Sequence, residues 1–315
     1  MTKNIFNKSV ILLVALLLLF VACRKTTDPP ATDYYAVITT AKDQNNVTSA
    51  LNQMAEEAEI IASRTGPNAP ISIKVDSLFP GALIDSINPG EYLITYDGIT
   101  KSNSGAIRKG TDSIFISSSW NLANTIIELH YDYTILNIDS SKTLRLQGKD
   151  IITNISGGNY YSLALDSIKS ITVNHTGTTQ ITFDDGTLRT WQHSIQKVRS
   201  CTNGIITSTV KGNGTPIGLS TIEAWGINRR GENFYGQTSS PLIYSYYAKT
   251  ASNVCPTWTD PISGVYIHKG TPSSLIVTYG VTVSGTENIL PFNTCPYGYK
   301  LNWTFGKSHE LTLIY

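Results

Sequence analysis

Along most of the chain, apolar and polar residues alternate with a period of two. Ile71, Ile73 and Val75 alternate with Ser72 and Lys74, Tyr92, Ile94 and Tyr96 repeat the pattern, and Leu311, Leu313 and Tyr315 end it. Period two puts one row of side chains on a core and the other in water, which is the mark of a half-buried strand. Further strand-like runs fall at 91–96, 113–117, 126–135, 143–146, 161–165, 168–173, 181–183, 188–198, 205–210, 222–225, 233–236, 243–247, 264–268 and 275–279. Gly, Asn, Asp and Pro separate them, and the links are too short for crossover helices, so neighbours should pair antiparallel. Asp184-Asp185-Gly186 reads as a hairpin turn because Asp-Gly tolerates positive φ. Gly157-Gly158-Asn159 reads likewise, and Asn228-Arg229-Arg230-Gly231 joins two further runs.

The pattern changes in two places. Over residues 41–66 the period lengthens to that of a helix: Val47, Leu51, Met54, Ala55 and Ala58 form one stripe, with Glu56, Glu57 and Glu59 largely off it. Gly66-Pro67 should end this helix. Near the start, Val10 to Cys23 is an apolar run behind Lys3 and Lys8, too short for a comfortable membrane span of about 20 residues. A positive region, an apolar region and a small-residue exit describe an export signal.

Phe20-Val21-Ala22-Cys23 resembles the lipobox of bacterial lipoproteins, with Phe20 where Leu is commoner. The resemblance implies cleavage before Cys23 and acylation of its thiol. Several acyl chains on one residue anchor stably, since each buried CH2 contributes ~0.8 kcal/mol. The expected organisation is a signal peptide over 1–22, a flexible tether over 23–40, the amphipathic helix over 41–66 packed on the sheet, and an antiparallel β-domain over 67–315. A subdivision is expected near 210–218, where the turn-rich KGNGTPIG lies. The fold class is all-β: a large antiparallel sheet or sandwich built of hairpins, with one short N-terminal helix.

Composition narrows the function. Across 315 residues, 24 Lys+Arg face 23 Asp+Glu for a net charge of +1, which leaves no basic surplus for nucleic acid. Of four cysteines, Cys23 is taken by lipid, and Cys255 and Cys295 are the expected disulfide, each set as Asn-x-Cys-Pro. An exported chain permits such a bond, and Cys201 is left as a small buried apolar residue.

The search for chemistry gives little. There is no G-x-S-x-G elbow and no phosphate-cradling glycine fingerprint. The five histidines are scattered, none in a metal-binding spacing, so neither a metal site nor a cofactor is expected. His130 is the strongest of them, because a strand would put Glu128, His130 and Asp132 on one face, read as a solvated face. Trp191, Trp225, Tyr244 and Tyr246 are candidates for an aromatic binding surface, set against a core role. Asp-Ser-(Leu/Ile) recurs at Ser77, Ser86, Ser113 and Ser167, where composition would give roughly one such tripeptide. It resembles the acceptor motif of Bacteroidetes envelope O-glycosylation, although alternating strands with Asp and Ser on the wet side produce the same pattern.

The order Glu91–Tyr96, then Gln180 to Thr187 with Arg189 and Trp191, then Glu223 to Gly231, then Cys255, Gly264-Val265-Tyr266 and Cys295, is similar to a family of Bacteroidetes-type envelope lipoproteins. Members tend to carry an extra Cys near the first strand, which this chain lacks. The resemblance implies an exported all-β lipoprotein and brings no activity with it. The expectation is therefore a non-catalytic lipoprotein of the cell envelope, on the outer membrane and held there by lipid. It would act as a structural or interaction module whose partner is an envelope protein or a glycan. The alternatives are a surface glycan-binding protein serving polysaccharide uptake and an envelope hydrolase, which a cleft gathering His130 or His193 with carboxylates would favour.

Overall fold

A computed structural model describes residues 31–65, 79–101, 106–136, 143–165, 168–202, 205–247, 261–270, 274–282, 284–287, 298–305 and 307–314. The apolar run with Cys23, the 71–75 run, Gly66-Pro67, Ser77, Ser167, Cys255 and Cys295 lie outside the described residues. Residues 1–39 and 40–315 form two compact units, and the sheet belongs wholly to the second.

Among the described residues, fourteen antiparallel strands make one continuous sheet. They are β1 (Ala82–Asn88), β2 (Glu91–Lys101), β3 (Ile107–Ile116), β4 (Thr125–Leu136), β5 (Thr143–Asn154), β6 (Ser170–Thr182), β7 (Leu188–Thr202), β8 (Ile205–Gly212), β9 (Ile222–Ile227), β10 (Asn233–Tyr247), β11 (Ser263–Gly270), β12 (Ser274–Val281), β13 (Gly298–Phe305) and β14 (Lys307–Ile314). Each strand pairs with the next in sequence, save at one place. There, β8 and β9 lie end to end between the long strands β7 and β10. β8 takes residues 195–202 of β7 and 242–247 of β10, while β9 takes 191–193 and 233–237. The turn-rich 210–218 stretch is therefore a break within one row of the sheet, and residues 40–315 remain a single unit.

Local chemistry accounts for the departures from the alternation. β10 spans two expected runs because its register shifts around Pro241, which has no N–H to give the ladder. The expected strand at 161–165 is instead a short helix, α2 (Tyr160–Ala164), because Asn159 Oδ1 accepts the Ser162 N–H at 2.9 Å and caps it. Gly157-Gly158-Asn159 is accordingly a helix entry and not a hairpin. Asp184-Asp185-Gly186 is a tight turn between β6 and β7. Gly186 sits at φ +78° there and donates its N–H to the Phe183 carbonyl at 2.9 Å.

The long helix α1 (Ala31–Thr65) begins ahead of the expected position, so residues 31–40 are helical where a tether was expected. Val47, Leu51, Met54, Ala55, Ala58, Ile61 and Ala62 are buried and join the sheet's inward rows in one core. Burying each of the larger of these side chains stabilises by roughly 1.5–3 kcal/mol. Glu57 and Glu59 depart from expectation, because both are buried, at 6% and 1% exposure. They can be inside because the sheet supplies their partners. Arg108 of β3 holds Glu57 through two N–H···O bonds of 2.8 and 2.7 Å, and Arg199 of β7 holds Glu59 at 2.5 and 2.9 Å. Paired guanidiniums satisfy buried carboxylates that would otherwise stay in water. Toward its start the helix meets the sheet again. Asp43 accepts two bonds from Arg229 of the β9–β10 turn, and Gln44 donates to Tyr266 and accepts from His268 Nδ1.

Candidate functional site

The inward rows of β5, β6 and β7 mix apolar residues with polar ones, and at one level the polar side chains meet across all three strands. On β6 the row runs Ile171, Val173, His175, Gly177, Thr179, Ile181. Gly177 pairs with Asp150 on one side and with His193 on the other. Its missing side chain is the space into which they lean, because a Cβ there would lie 1.7 Å from Asp150 Oδ1 and 2.7 Å from His193 Cε1. Three side chains from three adjacent strands thus converge. His175 Nε2 is 2.6 Å from Asp150 Oδ2, His193 Nε2 is 3.4 Å from the same oxygen, and the two Nε2 atoms are 3.2 Å apart. All three are buried. Tyr131 donates its O–H to Asp150 Oδ1 at 3.0 Å, and its oxygen lies 2.7 Å from the Thr179 hydroxyl.

The electrostatics follow from burial and neighbours. Burial alone would raise the Asp150 carboxyl, but the two imidazoles more than offset it and hold it well below the usual carboxylate range. Burial pushes His175 down to about 4 against the pull of Asp150. On the far side of His193, Glu223 of β9 is buried and pushed up to about 7, with the Thr238 hydroxyl bond pulling the other way. Lys197 is buried too; burial lowers it, and its Nζ has no hydrogen-bond partner among the described residues. A cavity of about 20 Å³ lies beneath α1, lined by Leu51, His175, Trp191, His193 and Glu223 among others. That volume accommodates about one water molecule.

The structure separates the other residues singled out in the sequence. His130 points outward from β4 with Glu128 2.6 Å away, while Lys149 also reaches Glu128 and Asp132 turns to Arg145. This is a solvated ion-pair face. Trp191 is buried at 4% exposure, gives its indole N–H to the Ile227 carbonyl and packs edge-on against Phe234. Tyr244 is buried as well, and Trp225 is half-buried. Trp191 and Tyr244 therefore belong to the interior and offer no ring face to a ligand, because their rows of β7 and β10 face the core. Tyr246 lies on β10. Ser86 is exposed on β1 together with Asp85 and Ile87, whereas the Asp112 of the motif at Ser113 is fully buried and not on the wet side. Cys201 is half-buried against the core with a free thiol.

Asp150, His175 and Gly177 carried no sequence motif, and the histidines read as scattered because no short spacing joins them. The signal was present in another form, as polar residues standing in the buried row of an alternating strand. These features define a class: a single antiparallel meander whose inner face holds a buried helix and a His–Asp–His cluster. Comparison with family models, curated proteins and solved structures finds no match for this chain.

Proposed function

We propose that this chain is a lipid-anchored protein of the cell envelope whose β-domain serves as a non-catalytic structural or interaction module. The observation that carries the reading is the apolar run that stops at Cys23, placed just ahead of α1. A chain held by lipid at Cys23 would pass any pull into α1, and α1 is locked to β3 and β7 by buried two-pronged ion pairs. Among the described residues no helix is long and apolar enough to cross a membrane. The hydrolase reading has one observation in its favour, the meeting of His193 with Asp150 and Glu223. Against it, the adjoining cavity has room for a water and not for an organic substrate. The glycan-binding reading loses support with Trp191 and Tyr244 inside the core. Of the Asp-Ser-(Leu/Ile) serines among the described residues, Ser86 is the better acceptor for a glycan, since its whole tripeptide is exposed.

One preparation tests both modifications. The chain made in its native host with labelled palmitate should carry label, Cys23→Ser should carry none, and the intact mass should exceed the lipidated polypeptide by a glycan that Ser86→Ala removes. Label that persists in Cys23→Ser would sink the anchor, and a lipidated mass without sugar would sink the glycan.

A further inference from the structure

We infer that Asp150, His175 and His193 form a binding site for one divalent transition-metal ion of the zinc type, which would clasp β5, β6 and β7 together. Two imidazole nitrogens and a carboxylate oxygen are a donor set that suits zinc, and a tetrahedral ion needs a water or one further ligand besides. All three donor atoms lie within 4.8 Å of one another. Around an ion with bonds near 2.0–2.1 Å, tetrahedral donors stand about 3.3–3.4 Å apart. The Nε2–Nε2 separation of 3.2 Å and the His193 Nε2–Oδ2 separation of 3.4 Å match this already. The remaining pair, His175 Nε2 and Asp150 Oδ2 at 2.6 Å, sits at hydrogen-bond distance and has to open by roughly 0.7 Å to admit the ion.

Without an ion the cluster is poorly satisfied. A neutral imidazole has one donor and one acceptor nitrogen. Both Nε2 atoms aim at one carboxylate oxygen and at each other, so two N–H groups there would compete for a single acceptor and repel. Moving a proton to Nδ1 does not help through protein contacts, because His175 Nδ1 and His193 Nδ1 are both buried without a partner among the described residues. Groups of this kind point to an ion or a water. An ion takes both Nε2 lone pairs and the Oδ2 charge at once. The cavity that His175 and His193 line has room for a water that could fill the fourth position or accept from an Nδ1–H. Support from behind the donors is present as well. Tyr131 holds Asp150 Oδ1 and is itself held by Thr179, the kind of outer contact that orients a ligating carboxylate. Gly177 keeps the centre clear.

The test uses the full-length chain in detergent, stripped with chelator and titrated with zinc alone. Calorimetry and elemental analysis after dialysis should give one zinc per chain, and saturating zinc should raise the thermal midpoint. His193→Gln and His175→Ala should abolish stoichiometric binding. Should either variant fail to fold, Tyr131→Phe removes only the outer contact and should weaken zinc about 10–100-fold. Cobalt(II) in place of zinc should give the absorption of a tetrahedral site in the wild type and lose it in His193→Gln. Stoichiometry near zero in a folded wild type would show that the cluster is a hydrogen-bonded core and overturn the proposal. Binding that is unchanged in the folded histidine or Tyr131→Phe variants would overturn it too, by placing the ion elsewhere. Neither result bears on palmitate at Cys23, so the two readings fail separately.

Discussion

Arg199→Met is expected to cost about 3–5 kcal/mol of folding free energy, because it strands the Glu59 carboxylate in the core without a partner. The Arg199–Glu59 pair is buried on both sides, at 1% and 2% side-chain exposure, so water does not screen it or replace it. Arg199 also lies over the Tyr160 ring at 4.9 Å, a contact that Met replaces only as apolar surface. The double variant Glu59→Leu/Arg199→Met removes both charges together. It should recover most of the loss, since well-packed apolar pairs commonly match buried ion pairs in stability. Urea unfolding of the wild type, the two single variants and the double variant gives the coupling directly. A double variant that loses the sum of the two single losses would mean that the pair is uncoupled and does not hold α1 to β7.

Asp112→Asn should gain stability relative to wild type as pH rises from about 4 to 7, by about 4 kcal/mol in all. Burial raises the Asp112 carboxyl from 3.8 to about 7, with the Glu57 and Asp150 charges adding to the rise and Tyr96 and Arg108 opposing it. A folded value above the unfolded one means that between 3.8 and 7 the folded chain holds a proton the unfolded chain has released. Asp112 therefore costs stability progressively across that window and changes nothing outside it. The geometry agrees with a protonated acid. Asp112 Oδ1 has no partner, and Oδ2 lies 2.8 Å from Tyr96 Oη, which in turn lies 2.9 Å from Glu57 Oε2. Tyr96 has one proton to give. A protonated Asp112 donates its O–H to Tyr96 Oη in a hydrogen bond, and the Tyr96 O–H is then free to donate to Glu57, which Arg108 also holds. An Asn at 112 keeps that chain through its N–H2 group.

The wild-type profile alone would hide this term. Glu223, raised to about 7, loses stability over the same range, while His268, lowered by burial to about 4, gains it as pH rises from 4 to 6.5. The measurement is thus the difference between variant and wild type in chemical denaturation at several pH values. A difference that stays level from pH 4 to 7 would mean that Asp112 is ionised in the folded chain.

Much of the sheet was legible because period-two alternation records a purely local fact, which side of a strand meets the core. Tyr92, Ile94 and Tyr96, or Ile171 and Val173, declare their strands without reference to partners. Errors arose where a contact outside the strand decided the outcome. Asn159 capped a helix that the aromatic and apolar residues at 161–165 had suggested was a strand, and Pro241 was absorbed in a bulge of one long strand. The candidate site was illegible for the same reason. Asp150, His175 and His193 are far apart in sequence, and only the register of β5, β6 and β7 sets them around Gly177.

From the order of residues alone came the apolar run ending at Cys23, the helical stripe from Val47 onward and the antiparallel pairing of neighbouring strands. These rest on hydrophobic periodicity and turn chemistry, which act over a few residues. Tertiary structure decided which polar residues went inside. Glu57 and Glu59 read as water-facing until Arg108 and Arg199 met them, since a charge can leave water only where a partner from elsewhere in the chain is already in place.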